Sequence, residues 1–364
     1  MSKASDISVR QVGPKTAKKA IGKAIQKRRP VFLWGPPGIG KSDIVKQIGD
    51  DAGRQVIDVR LALWEPTDIK GIPYYNAEQG KMVWAPPAEL PTDADSTAII
   101  FLDELNSAAP AVQAAAYQLI QNRRVGTYEL PKGVDVVAAG NRDGDRGVTY
   151  RMPAPLANRF VHLEAKVDFD DWQDWATLNK IHPEVVGYVG FAKQDLYDFD
   201  SKSASKAFAT PRSWSFVSDL LADESLDEET LFTLVAGAVG EGLAAKFKTH
   251  RKFVGKMPQP ADILSGKVTD LAVKEISAMY ALTTGMCYEL RDAKNSKDVS
   301  KDQLTEMMGN FLAFMMANFE TELVIMGSKI AIKTYEIPID TTKLKNFNEF
   351  YQKYGKFIRD AAVK

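Results

Sequence analysis

The chain has 364 residues, 45% of them apolar and 26% charged, a globular balance with ample material for a buried core. That length exceeds one ordinary core and points to two or three domains. Its 47 basic and 47 acidic residues cancel, which argues against a broad surface for nucleic acid or acidic membrane. The single Cys287 cannot form an internal disulfide, and one cysteine with three scattered histidines makes no zinc pattern. The N-terminus lacks the apolar core of a signal peptide, and no run approaches the ~18 apolar residues of a membrane span. The expectation is a soluble, cytoplasmic protein.

The residues up to about Pro14 show no strong periodicity and are expected to wrap the domain that follows. Thr16 to Arg29 has helical spacing, with Ala17, Ala20, Ile21, Ala24 and Ile25 on one stripe and Lys15, Lys18, Lys19, Lys23 and Lys27 opposite. A basic face can bind nucleic acid, but a solvated face or a subunit contact is the commoner reading and is preferred here.

The apolar run Val31–Trp34 leads into Gly35, Pro36, Pro37, Gly38, Ile39, Gly40, Lys41 and Ser42, and a helical segment starts at Asp43. A strand, this glycine spacing and then a helix is the context that makes G-x-x-x-x-G-K-[ST] a phosphate-binding loop. The glycines let successive backbone N–H groups turn inward, and the helix N-terminus adds positive potential. Lys41 is expected at the β- and γ-phosphates of a bound nucleotide and Ser42 on Mg²⁺.

Gln55–Leu61 alternates and reads as a second strand. Ile72–Tyr75 and Lys81–Trp84 flank a turn-rich Asn76–Gly80, a hairpin with a five-residue loop; taken alone, a surface hairpin that merely connects two elements is the slightly preferred reading. Thr97–Leu102 is continuously apolar and ends in Asp103 and Glu104, the pattern of a central parallel strand with acids at its carboxyl end. Asp103 is expected to hold Mg²⁺, usually through water, and Glu104 to polarise the attacking water. A helix is expected over Ala111–Gln121 and a further buried strand over Val134–Asn141, ending in a polar amide. Asn141 then either positions the lytic water or merely turns the chain.

Gly147–Pro153 reads as a loop, Ala154–Phe160 as a short helical segment and Val161–Leu163 as a fifth strand, which together give a parallel, three-layered sheet. Beyond residue 165 the texture is helical. Trp172, Trp175 and Leu178 share a helical face, a new helix starts around Pro183, and 198–207 reads as a mobile loop. Thr210-Pro211-Arg212 opens another helix, with proline in its first turn. Leu231–Phe247 reads as one buried helix. The stretch after Gly255 reads as two or three amphipathic helices, with a Met-rich segment from Met307 to Met326 that suits an adaptable core better than a partner surface.

Gly35–Ser42, Asp103-Glu104 and Asn141 resemble Walker A, Walker B and sensor 1 of an AAA+ ATPase, and the chain resembles the MoxR-like branch in particular. That branch carries a hairpin insert, matched by Ile72–Trp84 within about 64–92. Its loop before the arginine finger resembles Gly147–Pro153, and its Leu-x-x-Arg-Phe finger context is matched by Leu156–Phe160, with Arg159 as the finger. Its sensor 2 arginine is matched by Arg212 after Thr210-Pro211. The resemblance implies an α/β, three-layer αβα P-loop domain over 1–165 with a five-stranded parallel sheet, an α-helical lid over 166–254, and a helical C-terminal extension over 255–364 that it does not cover. It further implies ATP and Mg²⁺ as ligands and a homo-oligomeric, usually hexameric ring in which Arg159 serves the neighbour's nucleotide. Arg151 and Arg146 are the second choices for that finger. It also implies chaperone-like remodelling of a protein target, commonly one with a von Willebrand factor A domain. An AAA+ motor or loader on nucleic acid is the alternative. Zero net charge counts against it, while Tyr74, Tyr75 and Trp84 keep it open. A nucleotide-regulated scaffold is the third reading, disfavoured by the full set Glu104, Asn141 and Arg159.

Overall fold

The computed structural model of the chain describes residues 9–142, 144–145, 149–339, 344 and 346–360. It divides into two compact units, one running to Asp168 with Asp200–Ser203, the other made of Phe169–Phe199 and the residues from Ala204 onward. The first unit begins β1 (Gln11–Val12), α1 (Pro14–Gln26), β2 (Val31–Trp34), α2 (Lys41–Ala52), β3 (Val56–Arg60), α3 (Pro66–Lys70), β4 (Ile72–Asn76) and β5 (Lys81–Ala85). It continues β6 (Ile99–Asp103), α4 (Pro110–Asn122), β7 (Arg124–Val125), β8 (Tyr128–Glu129), β9 (Asp135–Gly140), α5 (Ala154–Ala157) and β10 (Val161–Ala165).

The main sheet is parallel, in the order β1-β10-β2-β9-β6-β3. It has six strands where five were expected. The sixth is the two-residue edge β1, too short to carry a periodicity, which pairs Gln11 with Glu164 and Val12 with Ala165. The central strands are apolar on both faces because helices cover both. Phe32, Ile100, Leu102, Val136 and Ala138 pack with Ile69 of α3 and with Val112, Ala116 and Leu119 of α4. On the other face lie α1 and α2, with Ile21, Ile25, Ile44 and Val45 buried.

The hairpin β4–β5 forms with Tyr74 opposite Val83 and Tyr75 opposite Met82. Its loop is Ala77–Gly80, one residue shorter than expected, because Asn76 still pairs with Lys81. Asn76 Oδ1 accepts from the Glu78 and Gln79 amides, which turns the chain. A second hairpin, β7–β8, was not anticipated; its strands are only two residues long. Thr127 at its tip bonds both the amide and the carbonyl of Trp84, so one hairpin braces the other.

The second unit contains α6 (Phe169–Leu178), α7 (Pro183–Phe191), α8 (Pro211–Leu221), α9 (Glu228–Val239), α10 (Glu241–Val254), α11 (Pro260–Leu264), α12 (Ile276–Asn295), α13 (Lys301–Asn318), α14 (Thr321–Lys329) and α15 (Phe347–Asp360). The face expected for Trp172, Trp175 and Leu178 is different: Trp172 is buried together with Ala176 and Thr177, while Leu178 is 61% exposed. The single helix expected over Leu231–Phe247 is two, because Gly240, at a φ of 92°, interrupts it. Among the described residues five α-helices follow residue 255, more than the two or three expected. Of these, α12 is buried along most of its length and lies against α7 and α10, so residues 254–255 fall inside this unit. Glycines permit the approach: a Cβ on Gly187 would stand 2.4 Å from Ala281 Cα. Met308 and Met315 are fully buried, the core role expected of them. No described helix is long and apolar enough to cross a membrane.

Candidate active site

The register of the sheet assembles the site. Trp34 of β2 pairs with Gly140 of β9, and β6 runs alongside β9, so Gly35, Asn141 and Asp103 all emerge at one carboxyl edge. In an open parallel sheet that edge is where ligands bind. The loop after β2 is bent by Gly38 and Gly40, at φ values of 76° and 85°, a conformation that a side chain would strain. Gly35 is required for another reason: a Cβ there would meet the Ile39 side chain at 2.6 Å and the Ala165 carbonyl at 3.1 Å. The Gly35 amide donates to Gly140 O, 3.2 Å away, which ties the loop to β9.

Lys41 opens α2 and turns its ammonium back under the loop. It donates to Gly35 O (2.7 Å), Pro36 O (3.0 Å) and Asn141 Oδ1 (2.9 Å). The next residue, Ser42, donates from Oγ to Asp103 Oδ2 at 3.0 Å. Asp103 Oδ1 accepts from the Glu104 amide at 2.9 Å, which aims the carboxylate at Ser42. Glu104 itself is exposed and sits at a φ of 55°, a left-handed backbone that a non-glycine residue adopts at a cost on the order of 1 kcal/mol. The four residues Lys41, Ser42, Asp103 and Asn141 thus form one connected set, with Glu104 at its rim.

Two further residues belong to this set that sequence reasoning passed over. Asn106 is buried in a turn after Glu104 and donates from Nδ2 to the Asn141 carbonyl at 2.8 Å, while its own carbonyl accepts from the Tyr150 amide at 2.7 Å. The only hint in the sequence was an amide set among apolar Leu105, Ala108 and Val112 just past the acid pair. Asp58 of β3 is the other. Partial loss of hydration, then the charges of Asp103 and Glu104, hold its carboxyl above the ordinary range, with Arg60 opposing.

Chemically, a hydroxyl and a carboxylate 3.0 Å apart are hard oxygen donors suited to a small divalent cation that keeps most of its waters. Among the described residues no group of three or more His, Cys, Asp or Glu side chains offers a self-contained metal cage. An ammonium beneath two left-handed glycines suits phosphate oxygens.

Arg159 lies elsewhere. It precedes β10, whose first residue, Val161, pairs with Val31 and bonds Pro30 O, so Arg159 stands at the amino edge of the sheet. From Pro30 to Gly35 the strand advances about 17 Å at ~3.3 Å per residue. Leu156 and Phe160 are buried on either side, Phe160 edge-on against Phe32 at 5.5 Å, which fixes the segment. His162 completes the anchor: its Nδ1 accepts from Trp34 Nε1 and its Nε2 donates to Ala157 O. Arg159 donates to Pro155 O at 3.3 Å and lies over the Tyr117 ring at 5.3 Å. Arg151 is exposed, and Arg146, with Gly147 and Val148, lies outside the described residues. Arg212 belongs to the second unit, exposed in the first turn of α8, where Thr210 and Ser213 cap each other.

Residues 30–160 match the AAA domain, dynein-related subfamily. Midasin of Giardia intestinalis is 29% identical over 193 residues, which are 50% of this chain and 4% of that protein. Protein MoxR of Methylorubrum extorquens is 27% identical over 161 residues, 43% of this chain and 46% of that one. The match therefore spans less than half of either curated relative. Among solved structures, a RuvB mutant of Thermotoga maritima aligns with a TM-score of 0.39 at 16% identity, over 84% of this chain and 88% of that one. Over residues 30–160 this chain therefore matches the AAA domain of the dynein-related subfamily, and in sequence it is similar to midasin and to MoxR.

Proposed function

We propose that the chain hydrolyses ATP, with Mg²⁺, at an interface between copies of itself, and uses the cycle to remodel a partner protein. The observation that carries this reading is the linked set Lys41, Asn141, Ser42 and Asp103 at one sheet edge, with Arg159 at the other. In this proposal Lys41 exchanges its bonds to Gly35 O, Pro36 O and Asn141 Oδ1 for oxygens of the β- and γ-phosphates. Gly35 to Gly40 wrap the phosphates with backbone amides. Ser42 and Asp103 would hold Mg²⁺, which would supply positive charge to offset that of the phosphates. Glu104 takes a proton from the attacking water, and Asn141 holds that water in line. Arg159, too far along β2 to serve its own loop, stabilises charge on the γ-phosphate of an adjacent copy. Arg212 keeps the sensor 2 role that the family resemblance implies.

Ring assembly, hexameric in the resemblance, follows from a finger given in trans, and the cytoplasmic setting remains part of the proposal. The output is chaperone-like, on a target for which a von Willebrand factor A domain is the class implied. One observation keeps the nucleic-acid reading as a second choice: Tyr74 and Tyr75 are 49% and 64% exposed on the hairpin. Stimulation of turnover by DNA rather than by a protein would favour that choice.

The deciding experiment mixes two inactive variants. Arg159→Ala keeps its pocket and lacks the donated group, whereas Lys41→Ala has the opposite defect. Co-assembled, they should recover part of the ATPase activity that each lacks alone. No recovery in mixtures shown to co-assemble would remove the trans finger from this reading.

A further inference from the structure

Arg159 opens on a cavity of about 480 Å³ that Arg28, Arg29, Arg123, Lys132 and Asp135 also line. The cavity lies at the amino ends of the strands, where Pro30 precedes β2 and Asp135 starts β9. Its charges do not balance. The Asp135 side chain is 5% exposed and already taken by two guanidinium groups, Arg28 at 2.9 Å and Arg54 at 2.7 Å. Arg123 donates only to neutral acceptors, Pro131 O at 2.7 Å and Val134 O at 2.8 Å. Arg29 and Lys132 are exposed, and among the described contacts neither side chain makes a hydrogen bond or ion pair. Five cations therefore share one carboxylate that is spoken for.

The backbone points the same way. Arg28 and Arg123 end helices at φ values of 58° and 54°, positions where glycine is the ordinary residue. Two arginines held in left-handed backbone at one cavity place guanidinium groups there at a conformational cost. Guanidinium and ammonium groups in a concave site of this size suit phosphate oxygens, which accept several charge-assisted bonds at once.

We infer that this cavity receives the phosphates of a nucleotide held by an adjacent copy, with Arg29 and Lys132 contacting them beside Arg159. The inference rests on the trans reading of Arg159 and extends it from one side chain to a basin. Arg28 and Arg123, tied to Asp135 and to backbone carbonyls, shape the basin and contribute field without reaching out.

The test uses the full-length chain carrying Arg29→Ala with Lys132→Ala. Both side chains are exposed and unbonded, and unchanged thermal unfolding should accompany the substitution. Turnover per chain should fall at least about tenfold, the scale of losing preorganised charge at a phosphoryl-transfer site. Binding of a fluorescent ADP analogue to the variant's own loop should not change, and mixing with Lys41→Ala should restore activity. Arg29→Lys with Lys132→Arg should keep most of the wild-type turnover. Wild-type turnover in the double alanine variant, while Arg159→Ala and Lys41→Ala still complement, would overturn the basin and leave the trans finger standing. Failure of that second pair to complement would overturn both. A double alanine variant that no longer assembles even without nucleotide would show that the cavity takes an acidic protein segment instead, and would also overturn the inference.

Discussion

Asn106 shows how a residue outside the recognised motifs can control one inside them. Its Nδ2 holds the Asn141 carbonyl, and Gly140 packs so tightly that a Cβ there would come 2.0 Å from Asn106 Oδ1. Asn106→Ala removes the bond and leaves a carbonyl unpaired, worth about 1–3 kcal/mol of stability. It also frees Asn141 to rotate, so kcat for ATP should drop about tenfold with KM little changed, since small misplacements are costly in positioned reactions. Steady-state kinetics of the variant at a temperature where it remains folded would decide; an unaltered kcat would show that Asn141 is positioned by other means. His250, in the second unit, carries a different prediction. Burial, reinforced by Arg251, lowers its pKa to about 4, against a bond from its ring to the Glu184 carbonyl that pulls the other way. The unfolded chain titrates near 6.5, so between about pH 6.5 and 4 it binds more protons than the folded one. Stability should therefore fall as the pH drops through that window and level off below it, by on the order of 3 kcal/mol from this group. Comparing denaturant unfolding of wild type and His250→Asn at pH 7 and pH 5 isolates the contribution; equal losses in both would rule it out.

At the scale of elements, the hairpin β4–β5 is the part of the first unit least used for its own core. Ile72 is 74% and Met82 56% exposed, and only Val83 is buried. Its base is nevertheless held firmly: Gly71 passes so close to Ala85 that any side chain would collide with that carbonyl, and Thr127 grips Trp84 from both sides. A rigid stem with an exposed apolar blade fits an element that acts on something outside the nucleotide site. Deleting Asn76 to Gly80 and closing the turn should leave basal ATPase within about twofold, because the hairpin supplies none of the contacts at Lys41, Ser42 or Asn141. The same deletion placed in a Glu104→Gln background should lose the partner that the Glu104→Gln chain retains in a pull-down. Loss of basal hydrolysis with assembly preserved would instead assign the hairpin to the organisation of the active site.

At the scale of the whole molecule, the proposed completion of the active site by a neighbour would make turnover a property of the assembly. Activity per chain should then rise with protein concentration and reach a plateau as the ring fills. Arg159→Ala should stay low throughout. Turnover per chain that is already maximal in solutions shown by sedimentation to contain monomers would mean that one copy suffices.

The sequence alone determined the glycine-bent loop Gly35–Ser42, the acid pair Asp103-Glu104 at a strand's end, Asn141 at the end of another, and the alternation of buried strands with helices. Each of these is local: a glycine pattern imposes a loop, and a continuous apolar run demands cover on both faces. It also placed the hairpin, missing one residue of pairing, and assigned the Met-rich segment Met307–Met326 to a core, where Met308 and Met315 are indeed buried. Tertiary structure decided what depends on elements far apart in the chain. The edge strand Gln11–Val12 exists only because Glu164 and Ala165 are there to pair with it. Asn106 matters because β9 delivers Asn141 beside it, and the arginines at 28, 29, 123 and 159 share a cavity only after the sheet aligns their starting points. The burial of α12 against α7 follows likewise from helix packing on helix, where the room at Gly187 is set by the Ala281 backbone ninety-odd positions away.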